Sequence, residues 1–123
     1  RFFRSILKNE EITVFGDGQQ TRDFTFVDDI IRASQSSIET GKAGENYNLG
    51  GGTQKKLADL IPIFENICQK KVKIKYVSGQ KGDVRHTFAD IQKANRGLNY
   101  TPTVSLEDGL RAEWDWIQVL ESE

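Results

Sequence analysis

Short β-type segments alternate along this chain with longer amphipathic helical segments, and this alternation limits the folds that it can adopt. The longest helical pattern carries one apolar stripe, formed by Leu57, Leu60, Ile61, Phe64 and Ile67. The β-type segments are too few and too short to close a sheet alone. The alternation therefore predicts one mixed domain, of the α/β or α+β class.

The first half of the chain predicts a β-hairpin between two helices. In ITVFGDGQQTRDFTFV, two β-type runs flank a Gly16-Asp17-Gly18 turn. A helix tail at residues 2–7 precedes this hairpin. We expect Asp28 to cap the helix that follows, which should end near Gly41.

The middle of the chain predicts a strand, a helix and another strand. NYNLGGG is typical of a short strand that ends in a sharp glycine turn, after which Thr53 should cap the long helix. Pro62 lies inside that helical pattern and should kink or divide it. In VKIKYV, the alternation predicts that Val72, Ile74 and Tyr76 share a buried face.

The last third predicts two helices. Asp90 can cap a short helix that ends at Gly97. Ser105 and Asp108 approximate a capping box at the start of the final helix. That helix repeats apolar residues on one face, at Leu106, Leu110, Trp114 and Ile117.

Charge and composition argue against several classes of partner. The chain has 123 residues with 17 basic and 18 acidic side chains, so its net charge of −1 favours neither nucleic acid nor an anionic membrane. No apolar run is long enough to span a bilayer, and we expect a cytoplasmic protein. The single cysteine, Cys68, falls on the apolar stripe and is expected to be a buried thiol.

The sequence contains no methionine and begins with Arg1. We therefore expect it to be a piece of a longer protein.

Few residues in the chain are suited to catalysis. His86 is the only histidine and has no carboxylate or second histidine at ligand spacing, so a surface or strand position is expected and no metal site. Gly16-Asp17-Gly18 lacks the third glycine of a dinucleotide fingerprint. No tyrosine is followed four residues later by a lysine. We expect no catalytic residue within this chain.

Groups suited to binding an anion are easier to find. Arg22, in TRDF, can hold a phosphate in bidentate fashion, although an ion pair with Asp23 or Asp28 is an equally simple interpretation. The segment SGQKGDVRHT offers a second polar cluster around Gly82, and a solvated turn is its alternative interpretation. The charged residues of that cluster are Lys81, Asp83 and Arg85.

Four motifs in order give these residues a context. They are VFGDGQQTRDFTFVDDIIRA, YNLGGG, KGDVRHTFADIQKA and LNYTPTVSLEDGL. Together they resemble the carboxyl-terminal half of NAD-dependent nucleotide-sugar epimerases and dehydratases, in the extended short-chain dehydrogenase/reductase family. The resemblance implies that residues 1–123 form a small α/β substrate-binding domain that packs on a Rossmann domain absent from this chain.

The resemblance also implies roles for individual residues. Arg22 would clamp the pyrophosphate and Asp83 would bond the ribose hydroxyls. The backbone at Thr13 and Phe15 would meet the base, and Thr87 would face the sugar. These roles are implied by the resemblance to the family's motifs. The spacing of residues within the chain does not indicate them.

One position departs from the family pattern. Gln80 stands where an arginine is common, so the second phosphate contact is in doubt. Lys81 is the preferred replacement, and Arg85 is the alternative.

The activity implied is that of a UDP-glucose 4-epimerase-like enzyme with NAD as cofactor and a nucleotide sugar as substrate. A dehydratase or decarboxylase of the same family is the alternative, and a non-enzymatic binding module is a third interpretation. We expect the complete enzyme to be a homodimer, and this chain alone to be inactive.

Overall fold

The structure, a computed structural model, describes residues 1–122. Five helices and four short strands follow one another along these residues. The helices are α1 (Phe2–Leu7), α2 (Val27–Thr40), α3 (Leu57–Cys68), α4 (Gln92–Leu98) and α5 (Leu106–Leu120). The strands are β1 (Ile12–Phe15), β2 (Thr21–Asp23), β3 (Gln54–Lys56) and β4 (Ile74–Val77). The predicted mixed α/β class is confirmed.

The strands form two small sheets. β1 pairs with β4 in parallel, with Ile12 opposite Ile74 and Phe15 opposite Val77. β2 pairs with β3 in the antiparallel sense, and an isolated parallel bridge joins Thr21 to His86. The short β2 strand therefore lies between β3 and the segment around His86.

The predicted β-hairpin is wrong, because β1 and β2 pair with different partners. Two left-handed glycines, Gly16 (φ 78°) and Gly18 (φ 75°), turn the chain between them. The buried Gln20 then donates from Nε2 to the Phe15 carbonyl at 2.8 Å. The connection therefore separates the two strands, and each pairs with a strand that is distant in the sequence. A local turn pattern cannot predict such a pairing.

The main core lies between α1, α3, α5 and β1. The Phe3 ring contacts Phe64 edge-on, with 5.0 Å between ring centroids, and lies 5.5 Å from the Trp114 ring. Cys68 belongs to this core, and burial raises the pKa of its thiol to about 11, as expected for a buried structural cysteine. A smaller cluster joins α2 to α4 through Ala33, Ala94, Leu98 and Tyr100.

Three predicted helix starts differ from the structure. α2 begins at Val27 with Phe26 as N-cap, so Asp28 lies in the first turn and is not the cap. α3 begins at Leu57 and not after Thr53, because residues 54–56 are drawn into β3. Asp90 accepts a hydrogen bond from the Gln92 amide at 2.9 Å, but the N-cap position of α4 belongs to the next residue.

Interior features of the long helices also differ in part. α3 continues through Pro62, whose exposed ring faces solvent while the opposite face of the helix is held in the core. α4 includes Gly97 and ends at Leu98, with Asn99 in the left-handed conformation (φ 53°). The capping box of α5 is confirmed, since the Ser105 Oγ accepts from the Asp108 amide at 3.1 Å.

Two strand predictions differ from the structure. Tyr76 is 53% exposed on β4, which is an edge of a two-stranded sheet. Residues 46–52 form no strand, since no neighbouring strand in the described chain offers them a partner. The flanking lysines of β4 are exposed as predicted.

No helix within residues 1–122 is both long and apolar enough to cross a membrane.

Candidate functional site

A cluster of alternating charges lies beside β2. It consists of Arg22, Asp83, Arg85 and Asp17, and we call it the arginine cluster. Arg22 Nη2 lies 2.6 Å from Asp83 Oδ1, and Arg85 Nη2 lies 3.0 Å from Asp17 Oδ2. The cluster is accessible to a ligand, since the Arg22 side chain keeps 29% of its surface exposed and the Arg85 side chain 61%.

Backbone carbonyls fix the direction of the Arg22 side chain. Its Nη1 donates to the Thr21 carbonyl at 2.8 Å and to the Arg85 carbonyl at 3.4 Å. Thr21 is tied in turn to the same segment, because its amide donates to the Arg85 carbonyl at 2.9 Å. The guanidinium is therefore held where β2 meets residues 85–87. The ion pair expected with Asp23 or Asp28 is replaced by the one with Asp83.

The turn at residues 80–83 brings Asp83 to Arg22. The Asp83 amide donates to the Gln80 carbonyl at 3.1 Å, and Gly82 adopts a left-handed conformation with φ of 89°. Gln80 and Lys81 are both exposed on this turn. Within residues 1–122, no carboxylate lies within ion-pair distance of Lys81.

Asp17 lies in the predicted Gly16-Asp17-Gly18 turn, and the sequence does not predict its contact within the arginine cluster. Its Oδ1 accepts from the Gln19 amide at 3.0 Å, while its Oδ2 holds Arg85. These contacts, that of Gln19 first, lower the pKa of the Asp17 carboxyl. Only the pairing across the chain distinguishes Asp17 from an ordinary turn aspartate, so no local signal identified it.

The backbone of Thr13 and Phe15 lies at the open edge of β1. The Ile12 amide donates to the Lys73 carbonyl at 2.8 Å, and the Gly16 amide donates to Val77 at 2.9 Å. In a parallel pair, alternate residues direct their amides to opposite edges, so those of Thr13 and Phe15 point away from β4. The Phe15 carbonyl is already used by Gln20.

Thr87 does not belong to the arginine cluster. Its amide donates to the Thr21 carbonyl at 3.2 Å, and it lines a polar cavity of about 520 Å³ that adjoins the strand. The other lining residues are Asp23, Thr25, Tyr47, Asn48, Leu49, Gly50, Phe88, Ala89 and Asp90. The structure thus brings Arg22, Asp83 and Arg85 together and places Thr87 in a neighbouring cavity.

Asp23 organises this polar cavity, and sequence reasoning missed it. Its Oδ1 accepts from the Gly51 amide at 2.8 Å, and its Oδ2 accepts from the Ala89 amide at 3.2 Å. One carboxylate therefore joins the glycine-rich loop to the segment after Thr87. A Cβ at Gly50 would lie 2.5 Å from Asp23 Oδ2, so glycine is required there for close approach.

A second cavity, of about 500 Å³, is apolar and lies between the start of α2 and α5. Phe24, Phe26, Leu110 and Trp116 are among its lining residues, and Glu113 is the one ionisable side chain in that lining. It offers no cation for a phosphate. His86 is exposed, as expected for a surface position, and it lies in an isolated bridge to Thr21 outside the strands. Its Nδ1 lies 2.9 Å from the Thr21 hydroxyl.

The described residues do not fit the pyrophosphate of NAD. A dinucleotide fold needs a glycine-rich turn that leads from a strand into a helix. Gly50, Gly51 and Gly52 lead instead into β3, and the Gly51 amide is already bonded to Asp23.

Comparisons with known proteins agree on one family. A family model described as GDP-mannose 4,6 dehydratase matches residues 1–112. The chain is 41% identical over 117 residues to a UDP-glucuronate 4-epimerase of Thermodesulfobacterium geofontis, covering 94% of this chain and 36% of that protein. It is 32% identical over 118 residues to dTDP-glucose 4,6-dehydratase 1 of Escherichia coli, covering 89% of this chain and 33% of that protein.

Solved structures give the same result. The UDP-glucuronic acid 4-epimerase of Bacillus cereus, in complex with UDP-glucuronic acid and NAD, matches with a TM-score of 0.92 and 43% identity, over 98% of this chain and 39% of that one. The UDP-glucose 4-epimerase of Thermotoga maritima, with UDP-glucose, matches with a TM-score of 0.92 and 33% identity, over 98% of this chain and 38% of that one. The chain therefore spans little more than a third of the length of the relatives it matches.

Proposed function

Because this chain belongs to the GDP-mannose 4,6 dehydratase family of NAD-dependent nucleotide-sugar epimerases and dehydratases, we propose that it is the substrate-binding part of a UDP-sugar 4-epimerase. The observation that carries the proposal is the arginine cluster, in which a strand presents the partly exposed guanidinium of Arg22 beside the carboxylate of Asp83. Two relatives named as 4-epimerases of UDP-glucuronate, at 41% and 43% identity, support this choice within the family.

The cluster suits a nucleoside diphosphate because it offers both signs of charge. The Arg22 guanidinium donates hydrogen bonds to the pyrophosphate oxygens, and the Asp83 carboxylate accepts hydrogen bonds from the ribose hydroxyls. When the ligand enters, Asp83 exchanges the guanidinium for these hydroxyls. Both groups therefore keep charge-assisted partners, which limits the cost of breaking their 2.6 Å contact.

The remaining groups extend the site on either side of the cluster. The edge of β1 at Thr13 and Phe15 meets the base through backbone atoms, and Thr87 faces the sugar from the polar cavity. Gln80 donates a hydrogen bond without a charge. Lys81 or Arg85 then supplies further positive charge, although Arg85 must first leave Asp17.

The rest of the complete protein supplies the chemistry. Neighbouring structures contain NAD, and we propose NAD as the cofactor of this protein too, held outside the present chain. The role of this chain is to bind the diphosphate and thereby to orient the sugar. Holding the diphosphate at two separated points restricts the rotation of the sugar.

A 4,6-dehydratase is the second candidate. The match to the Escherichia coli dTDP-glucose 4,6-dehydratase favours it, since its 32% identity covers nearly the same residues. A binding module without enzymatic activity is the third possibility, and it would keep the arginine cluster but lack a tyrosine-lysine pair elsewhere in the protein.

Product analysis of the complete protein separates these candidates. The purified protein is supplied with NAD and either UDP-glucuronic acid, UDP-glucose or dTDP-glucose, and the products are resolved by proton NMR. We expect the 4-epimer of a UDP-sugar. A 4-keto-6-deoxy product would favour the dehydratase, and binding of UDP-sugars without any product would favour the binding module.

A further inference from the structure

The arginine cluster has no surplus positive charge of its own. Arg22 contacts Asp83, and Arg85 contacts Asp17, so two cations are matched by two carboxylates. Gln80 is neutral. A pyrophosphate carries negative charge on both phosphates. Its binding would be weak if it could reach the two arginines only by displacing their carboxylate partners. An additional cation near Arg22 would remove this difficulty.

The pairing of β2 with β3 places a further cation, Lys55, beside Arg22. Lys55 lies directly opposite Arg22 in the antiparallel register. Residues directly opposite each other point to the same face of the sheet, with Cβ atoms about 4.5–5.5 Å apart. The neighbouring residues alternate in direction, so Lys56 points to the other face, opposite Thr21.

Lys55 is exposed, and no carboxylate within residues 1–122 lies within ion-pair distance of its ammonium. Like charges directly opposite each other destabilise a strand pair. Arg22 and Lys55 are such a pair. The contact with Asp83 offsets the charge of Arg22 alone, whereas an anion placed between the two side chains would offset both charges. Such a local conflict is typical of a binding site.

We propose that Lys55 is an additional cation of the phosphate site and binds the diphosphate together with Arg22. The inference rests on the proposed function and adds a residue that the family motifs did not indicate. Arg22 supplies the planar fork, while Lys55 supplies a mobile point charge on a four-carbon stem. Because β3 fixes the backbone of Lys55, its position is better defined than that of Lys81 on the exposed turn.

Calorimetric titration of the complete protein tests this proposal. UDP, UDP-glucuronic acid and uridine are titrated into the wild type, Lys55→Gln and the matched control Lys56→Gln, at two salt concentrations. For Lys55→Gln we expect about fivefold to tenfold weaker binding of both diphosphates, a flatter salt dependence and unchanged uridine binding. Lys56→Gln should bind like the wild type, and Lys55→Arg should restore most of the affinity.

The outcomes separate this inference from the proposed function. If the wild type binds neither diphosphate, the proposed function fails and the inference fails with it. If the wild type binds both but Lys55→Gln binds them equally well, only the role of Lys55 is overturned. A loss seen equally in Lys56→Gln would also overturn it, because the effect would then come from general surface charge. Circular dichroism confirms that each variant is folded.

Discussion

Arg22 and Asp83 are joined by a 2.6 Å contact between Nη2 and Oδ1, so the guanidinium that we propose as a phosphate ligand is paired with a carboxylate. The pair links strand β2 to the turn at residues 80–83, far apart in the sequence. If Arg22 binds a diphosphate as proposed, this contact would orient its side chain in advance and reduce the entropy lost on binding.

Replacement of Arg22 by alanine should weaken nucleotide-sugar binding by the complete protein. The loss of charge-assisted hydrogen bonds is worth about 1.5–3 kcal/mol, or about tenfold to a hundredfold in affinity. NAD affinity should barely change, since the described residues do not fit its pyrophosphate. Titration with UDP-glucuronic acid and with NAD measures both effects, and normal substrate binding would reduce Arg22 to a structural ion-pair residue.

Replacement of Asp83 by asparagine should change the affinity for two ligands to different extents. Inorganic pyrophosphate should bind about twofold to fivefold more tightly, because no carboxylate competes for Arg22. UDP should gain less or lose affinity, because the acceptor for its ribose hydroxyls is weakened. The ratio of the two dissociation constants is the measurement, with the exposed Asp115→Asn as control. An unchanged ratio would contradict the proposed exchange of partners.

Substitution of Gly50 by alanine should disturb the polar cavity. A Cβ there would lie 2.5 Å from Asp23 Oδ2 and 2.7 Å from Ala89 Cβ, so the carboxylate would have to move away from the two amides that it holds. We expect a loss of about 2 kcal/mol in the free energy of unfolding. Gly79→Ala is the control, because its Cβ would meet no atom within 4 Å. Equal stability of both variants in urea would refute this role.

The buried Asp29 should make the domain sensitive to acid. Burial alone would raise its pKa, but hydrogen bonds from the Thr103 and Val104 amides and from Arg32 lower the pKa overall. Its contribution to stability is therefore complete above the ordinary value of 3.8 and is lost as the pH falls through the lowered pKa.

The matching experiment is urea unfolding of Asp29→Asn and of its exposed neighbour variant Asp28→Asn, at pH 7 and near pH 3. Asp29→Asn should lose about 2 kcal/mol at pH 7 and less at the lower pH. Asp28→Asn should resemble the wild type. A deficit of Asp29→Asn that does not shrink on acidification would show that its charge is unimportant.

The isolated chain should neither bind NAD appreciably nor convert a nucleotide sugar. The described residues contain no glycine-rich turn from a strand into a helix and no candidate proton-transfer pair. Calorimetry with NAD and product analysis with UDP-glucose measure the two properties. Micromolar NAD binding by residues 1–123 alone would contradict the expectation.

The sequence predicted those elements whose signals are local. The stripe of α3 and the capping box of α5 depend on residues within a few positions of one another, and both were found. Strand pairing was not predicted, because it depends on distant residues. The Gly16-Asp17-Gly18 turn was correctly identified as a turn, yet the strands on its two sides pair with β4 and β3.

The same limit applies to the candidate site. The sequence names Arg22 and Asp83 as candidates because they occur in recognisable motifs, and their roles stay predictions. It does not predict their mutual ion pair. Asp17, Asp23 and Lys55 acquire their significance only from contacts across the chain. Their residue types are ordinary for turns and exposed strands, so composition and periodicity carried no information about them.

The parallel pairing of β1 with β4 has a consequence for biosynthesis. Residues 12–15 leave the ribosome long before residues 74–77, and an extended segment without a partner cannot satisfy its backbone groups in a folded sheet. Helices α2 and α3 can form early, whereas Ile12 and Val14 stay uncovered until the partner strand emerges. The nascent chain should therefore pass through a stage at which this apolar strand is exposed and prone to aggregation, and a translational pause before β4 would prolong that stage.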